Sequence, residues 1–151
     1  MAIKVLITGF PAFHTHKLNP TESISQYLKL NDSTIIWQQV IIPVEFDNCA
    51  ILLQSKIKAF QPDYLIMLGL AASRTELSLE RVAVNILHSE REDNQGEIKT
   101  HQRINSNGKA AYFSTLPLDQ LSKKLSLINI PNHISNYAGT YVCNLIFYKM
   151  M

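Results

Sequence analysis

The chain has 151 residues, and its 14 basic and 12 acidic side chains give a formal net charge of +2 with histidine neutral. Apolar residues make up 46% of it, which excludes a disordered chain, while 5 Gly, 6 Pro and 2 Cys exclude collagen and a disulfide scaffold. So small a net charge gives no reason to expect nucleic acid or an anionic membrane surface as a partner.

The size of the chain predicts a single domain over residues 1–151. Its longest apolar run, residues 64–72, is far shorter than the roughly 20 residues of a membrane helix. Because the first predicted strand begins at residue 3, we expect no secretory signal. We therefore expect a cytoplasmic protein whose cysteines are free thiols.

Strand-like and helix-like stretches alternate through the first half of the chain. Residues 3–7, 35–44 and 64–68 are apolar runs typical of strands. Asn19, followed by proline, predicts a helix start, and apolar residues recur at helical spacing over residues 46–60. This β-α-β-α-β order predicts a mostly parallel sheet covered on both faces.

The second half of the chain continues the mixture. Residues 76–86 show the pattern of extended structure, and turn signals at 93–96 and 105–108 predict a surface hairpin or excursion. Residues 118–127 predict an amphipathic helix, and residues 133–137 a short strand. The fold class predicted by the whole pattern is α/β.

A final helix follows Gly139, and it has almost no polar face. Such a helix is normally buried all round. Because it ends without a glycine cap or a polar tail, we expect an exposed apolar terminus through which the chain self-associates.

Cys143 is the candidate nucleophile, since it falls in the first turn of this helix, just after a turn at Gly139 and Thr140. Free backbone N–H groups and the helix dipole are expected to lower its thiol pKa there, and the same donors could hold an oxyanion. The alternative is a small buried cysteine on an apolar helix, a description that Cys49 also fits.

Glu80 is the carboxylate that interrupts an apolar strand. It either pairs with Arg81 or another base, orients a catalytic group, or lies on a solvated strand face. His14 and His16 resemble half a metal site, but no third ligand lies nearby in the sequence, so a polar loop is favoured. The sequence also has no phosphate-binding loop and no dinucleotide fingerprint, and we expect neither a metal nor a cofactor.

Several segments together resemble one family, pyroglutamyl peptidase type I, also called pyrrolidone-carboxylate peptidase. These cysteine peptidases remove an N-terminal pyroglutamate. The segments that carry the resemblance are VLITGF (5–10), NP (19–20), IPV (42–44), QPD (61–63), RTELSLERVAVNI (74–86), DNQG (93–96), AAYFSTLP (111–117 with Ala110) and SNYAGTYVCN (135–144).

The resemblance implies a three-layer α/β/α sandwich with a mostly parallel twisted sheet, a cytoplasmic location, homo-oligomers that are often tetramers, and a Cys-His-Glu triad. By motif, Cys143 matches the nucleophile and Glu80 the triad carboxylate. Phe10, Phe13 and Tyr141 match the aromatic positions that bind the lactam ring. The implied substrates are peptides with N-terminal pyroglutamate, cleaved through a thioester acyl-enzyme.

The sequence also departs from the family pattern. The triad histidine of the family lies downstream of the cysteine helix, and none of the five histidines here matches its motif. We therefore expect a truncated member that lacks the family's C-terminal elements and has little or no activity. The alternative is a catalytically silent binding or assembly module derived from the family.

Smaller departures concern loops. His14 and Thr15 replace a Gly-Gly pair of the family, as do Ala72 and Ser73, and such changes restrict the backbone. The family's loop arginine aligns with Glu90. Arg91, one place on, is therefore the possible oxyanion or loop arginine.

Overall fold

The computed structural model describes residues 2–13 and 17–151, with the backbone alone for Ser25. The chain forms two compact units, Met1–Leu70 with Glu92–Glu97, and Ala71–Arg91 with Ile98–Met151. Within the described residues, every helix is too short or too polar to traverse a bilayer.

The first unit is built on a parallel sheet whose central strand is β1 (Ile3–Gly9). It pairs on one side with β2 (Ile35–Ile41) and on the other with β3 (Tyr64–Met67). The strand order across the sheet is β2-β1-β3, so the connection from β1 to β2 and the connection from β2 to β3 run in opposite directions across the sheet. Right-handed crossovers therefore place them on opposite faces of the sheet. This matches the parallel, doubly covered sheet that the segment order predicts.

The helices of the first unit differ from each other in how well the sequence predicts them. Helix α2 (Asn48–Phe60) fills most of the expected range and buries Cys49, Ala50 and Leu53. Helix α1 (Ile24–Tyr27) is much shorter than expected and does not begin at Asn19.

A local turn explains the late start of α1. The Asn19 Oδ1 atom accepts hydrogen bonds from the Thr21 backbone N–H at 3.1 Å and from the Thr21 hydroxyl at 2.8 Å. An asparagine that bonds two residues onward closes a turn of its own and competes with a helix start. The helix begins only after this turn, at Ile24.

The second unit contains two strand pairs. The parallel pair joins β4 (Leu77–Glu80) to β7 (Asn132–Ser135), and the antiparallel pair joins β5 (Val82–Val84) to β6 (Ala111–Phe113). The helices are α3 (Leu118–Leu127), which has the bounds expected from the sequence, and α4 (Val142–Lys149). In both units together, the described strand pairings are mostly parallel, as expected.

The stretch expected to form a surface hairpin is divided between the units. Residues Glu92–Glu97 belong to the first unit, where the buried Asp93 side chain accepts a hydrogen bond from the Phe46 N–H at 2.8 Å. The other Asp93 oxygen accepts from the N–H groups of Gln95 and Glu97 and closes the expected turn. The long-range bond to Phe46 cannot be read from local turn residues, which is why a free hairpin was expected.

Helix α4 is buried, which corrects the expectation of an exposed apolar terminus. Val142 and Ile146 are each 1% exposed, and the helix also buries Leu145, Phe147 and Tyr148. Met151, after the helix, is 40% exposed. The predicted exposed face of this helix is therefore wrong, because its apolar side chains are already buried, and self-association of the chain stays a prediction.

The central strand offers a test of the first unit's core. Leu6 in β1 is fully buried, whereas Ile3 in the same strand is 42% exposed. We expect Leu6→Ala to lower the free energy of unfolding by about 2–5 kcal/mol, because it removes buried methyl groups and leaves a cavity. Urea denaturation measures this. The matched control Ile3→Ala should cost under about 1 kcal/mol, and equal losses in the two variants would contradict the assignment of Leu6 to the core.

Candidate active site

Cys143 is the second residue of α4, in the second unit. The chain turns into the helix at Gly139, whose φ of +82° is favourable for glycine, and Tyr141 is the N-cap in extended conformation. The first backbone bond into the helix runs from the Leu145 N–H to the Tyr141 carbonyl at 3.0 Å. The N–H groups of the first turn, including that of Cys143, are thus not used within the helix.

The thiol is not activated by this position alone. Burial, and secondarily the charge of Glu80, raise the pKa of the Cys143 thiol from 9.0 to about 11, while its own backbone N–H acts in the opposite direction. The predicted lowering by the backbone N–H is therefore present, but the expectation of a lowered thiol pKa is wrong, because burial dominates. Desolvation of a thiolate can shift a pKa by several units, which outweighs the modest effect of a helix N-terminus.

Glu80 ends β4 and is held by Arg74. Arg74 Nη1 donates to Glu80 Oε1 at 2.5 Å, and Arg74 Nη2 donates to the Tyr137 carbonyl at 3.2 Å. The sequence left open whether Glu80 pairs with Arg81 or another base, and the partner is Arg74. The second carboxylate oxygen, Oε2, is buried and has no hydrogen-bond partner among the described residues.

Two sets of hydrogen bonds fix the start of α4 to the segment that follows Arg81. The Thr140 hydroxyl donates to the His88 carbonyl at 2.6 Å, and the His88 N–H donates to the Thr140 carbonyl at 3.0 Å. On the other side of Cys143, the fully buried Asn144 side chain bonds to the backbone of Val84 and Ile86. One set of bonds therefore lies before Cys143 in the chain and the other set directly after it.

The structure thus places Cys143 close enough to Glu80, within the second unit, for the carboxylate charge to raise the thiol pKa. Tyr141 lies two residues before the cysteine and is half-buried. Arg91 is exposed; its backbone N–H donates to the Ser89 hydroxyl oxygen at 2.9 Å, and the structure shows no bond between Arg91 and Cys143.

Phe10 and Phe13 belong to the first unit. Phe10 follows β1 directly, is 3% exposed, and donates its N–H to Thr21 Oγ1 at 3.0 Å. Phe13 is half-buried. Their part in binding a lactam ring stays a prediction, as does that of Tyr141.

Among the described residues, the structure shows no hydrogen bond between a histidine ring and Cys143 or Glu80, and His88 Nδ1 is buried without a hydrogen-bond partner. The rings of His88 and His101 stack with centroids 4.3 Å apart. His133 Nδ1 lies 2.8 Å from a carboxylate oxygen of Glu76, and its Nε2 atom lies 3.3 Å from the Ser78 hydroxyl. The expected half-site of His14 and His16 lies outside the described residues. Within the described part of the chain, no three His, Cys, Asp or Glu side chains group as metal ligands would.

Two residues of this site were missed as functional candidates in the sequence. Arg74 and Asn144 both stand inside segments that carry the family resemblance, yet nothing local predicts their partners. Asn144 did leave a signal, because it is a polar side chain on a helix that is otherwise almost wholly apolar.

The chain is similar to known proteins over almost its whole length. The family model described as pyroglutamyl peptidase matches residues 3–151. The pyrrolidone-carboxylate peptidase of Pyrococcus furiosus is 39% identical over 149 residues, which are 97% of this chain and 71% of that protein. That of Halalkalibacterium halodurans is 41% identical over 150 residues, which are 97% of this chain and 73% of that protein.

Solved structures show the same likeness. Pyroglutamyl peptidase I of Bacillus amyloliquefaciens matches with a TM-score of 0.93 and 32% identity, over 99% of this chain and 73% of that one. The pyrrolidone carboxyl peptidase of Thermococcus litoralis matches with a TM-score of 0.93 and 35% identity, over 98% and 68%. The predicted α/β class is confirmed by these matches.

The relatives and solved structures that match are pyrrolidone-carboxylate peptidases, which places the chain in the cysteine-peptidase class. The chain belongs to the pyroglutamyl peptidase family.

The raised thiol pKa can be tested by alkylation. With the pKa of Cys143 at about 11, iodoacetamide should react slowly near pH 8 and faster as the pH rises toward 11, because only the thiolate is nucleophilic. Replacing Glu80 by Gln removes the nearby negative charge and lowers the pKa. We expect alkylation at pH 8 to speed up by about threefold for each unit of that fall, after allowing for the lower nucleophilicity of a more acidic thiol.

Glu76→Gln is the matched control, since Glu76 is also a carboxylate at a β4–β7 contact but pairs with His133 and does not shift the Cys143 pKa. Cys143→Ala provides the blank for the fully buried Cys49. Fast alkylation of the unmodified chain at pH 7, or equal acceleration by both carboxamide variants, would refute the assigned electrostatics.

Proposed function

We propose that this chain is a cysteine hydrolase that removes N-terminal pyroglutamate from peptides. The observation that supports this most directly is the placement of Cys143 in the first turn of α4, within electrostatic reach of Glu80, in a chain of the pyroglutamyl peptidase family. The relatives are named as pyrrolidone-carboxylate or pyroglutamyl peptidases, and the proposal assigns the same activity to this chain.

The reaction would proceed through a thioester. The Cys143 thiolate attacks the pyroglutamyl carbonyl carbon, and the unused N–H groups of the first turn of α4 stabilise the oxyanion. Collapse of this adduct breaks the amide bond, and the departing amine takes up a proton. Water then attacks the thioester, releases pyroglutamate and returns the thiol.

Phe10, Phe13 and Tyr141 are proposed as the aromatic side chains that contact the lactam ring. The ring is small, flat and uncharged, so that aromatic surfaces and backbone hydrogen bonds suffice to recognise it. Arg91 is proposed as the loop arginine that assists the oxyanion, because it is one residue from the position that the family's arginine takes. These roles rest on the family resemblance of the segments concerned.

Proton transfer is the weak step of this mechanism in the 151-residue chain. Burial keeps Cys143 protonated at neutral pH, with a pKa of about 11, and none of the described histidines bonds to it. We therefore propose slow turnover by this chain alone. The same observation favours the second candidate function, a silent module that binds pyroglutamyl peptides without cleaving them.

Cytoplasmic location, a single domain and assembly into homo-oligomers complete the proposal. They rest on the resemblance and on the composition of the chain.

The activity is tested with a fluorogenic pyroglutamyl amide. We expect slow release of the fluorophore that increases as the pH is raised from 7 to 10, because the thiolate population grows about tenfold per pH unit below the pKa. Cys143→Ala should abolish the release, and Cys49→Ala, which changes a fully buried cysteine outside the site, should leave it unaltered.

Two results would contradict the proposed peptidase. Release that is unaffected by Cys143→Ala would exclude this thiol as the nucleophile. Saturable binding of a pyroglutamyl peptide by calorimetry, without any release at pH 10, would establish the silent module instead.

A further inference from the structure

We infer that Asn144 is the positioning residue of the Cys143 thiol, because its carboxamide docks the first turn of α4 onto an edge of strand β5. The inference rests on the proposed function for its catalytic meaning. Its geometry and its central test do not depend on that function.

The carboxamide of Asn144 acts as a short piece of β-strand. Asn144 Oδ1 accepts from the Val84 N–H at 2.9 Å, and Asn144 Nδ2 donates to the Val84 carbonyl at 2.9 Å and to the Ile86 carbonyl at 3.0 Å. Between them, the Asn85 N–H faces the opposite edge and donates to the Ala110 carbonyl at 2.8 Å. Strand β6 therefore pairs with one edge of this segment, and the Asn144 side chain bonds to the other edge.

The chemistry of this contact selects asparagine. The strand edge presents one donor and two acceptors, and a carboxamide offers one acceptor oxygen and two N–H donors in return. A carboxylate would face two carbonyl oxygens, and an apolar side chain would leave three backbone groups unsatisfied in a fully buried place. Asparagine satisfies all three at once.

The bonds reach the thiol through the helix backbone. Cys143 is the residue immediately before Asn144, and Thr140 is fixed to His88 on the other side. With both sides held, the cysteine cannot rotate about the helix axis without breaking a hydrogen bond. Asn144 thereby sets how deeply the sulfur is buried and which way it faces.

Asn85 provides a matched control within the same strand segment. It is 3% exposed and makes a similar set of bonds, because its Nδ2 donates to the Asn105 carbonyl at 2.7 Å and its Oδ1 accepts from the Asn105 N–H at 2.9 Å. These bonds hold the loop before β6, which α4 contacts near its other end, through the Tyr148 hydroxyl that donates to the Lys109 carbonyl at 2.7 Å. A purely structural role of buried asparagine would make the two residues equivalent.

The test compares Asn144→Ala with Asn85→Ala by the pH profile of Cys143 alkylation. Cys143 is half-buried, and freeing the first turn of α4 exposes more of its sulfur to water. The pKa should therefore fall from about 11 toward 9.0 in Asn144→Ala, with alkylation at pH 8 faster by about tenfold. Asn85→Ala should keep the profile of the unmodified chain. An unchanged profile in Asn144→Ala, or the same shift in both variants, would overturn the inference.

Hydrogen exchange on the unmodified chain tests the contact without a variant. The Val84 N–H has a side chain as its acceptor, and we expect it to exchange as slowly as the Asn85 N–H. Exchange of Val84 at the rate of a free amide would show that the Asn144 contact is absent.

Turnover separates this inference from the proposed function. If the fluorogenic amide is cleaved, Asn144→Ala should lower kcat at least tenfold with little change in KM, and rates equal to those of Asn85→Ala would count against positioning. If it is not cleaved, the peptidase proposal fails, and the alkylation and exchange results still decide the role of Asn144.

Discussion

Burial of helix α4 is the constraint on which the second unit depends. Almost every side chain of this helix is apolar, and those of Val142, Leu145, Ile146 and Phe147 are removed from water. This burial supplies the driving force that holds the helix in place. It also desolvates the thiol on its first turn, which raises the pKa of Cys143. The stability of the helix and the low reactivity of its cysteine therefore have one cause.

Polar groups around the start of α4 offset part of the free-energy cost of burying charged and hydrogen-bonding groups there. Arg74 neutralises one oxygen of Glu80, while the other is left unpaired within the described residues. Asn144 satisfies backbone groups of the strand edge that α4 would otherwise leave bare. The site is therefore well fixed in position, but the charge of Glu80 raises the pKa of its thiol.

Periodicity and turn residues predicted the α/β class, the bounds of α3 and the places of Cys143 and Glu80. These properties depend on patterns within about ten residues of chain. What failed depended on contacts between distant residues or on a balance of energies. The short α1 reflects a side-chain bond at Asn19, and the Arg74–Glu80 pair depends on how the chain folds back on itself. The thiol pKa required weighing burial against a helix terminus, and burial depth cannot be read from a single segment.

The route of the chain through residues Glu92–Glu97 has a consequence for how the protein is made. Asp93 joins three N–H groups of the first unit, although most of that unit ends at Leu70. Strands β1 to β3 therefore leave the ribosome before the residue that completes their unit has been synthesised. At translation rates of about 5–20 residues per second, the time between synthesis of β3 and synthesis of Asp93 is on the order of seconds. During this time the Phe46 N–H lacks the Asp93 carboxylate as its acceptor. Co-translational folding of the first unit must finish only after part of the second has emerged.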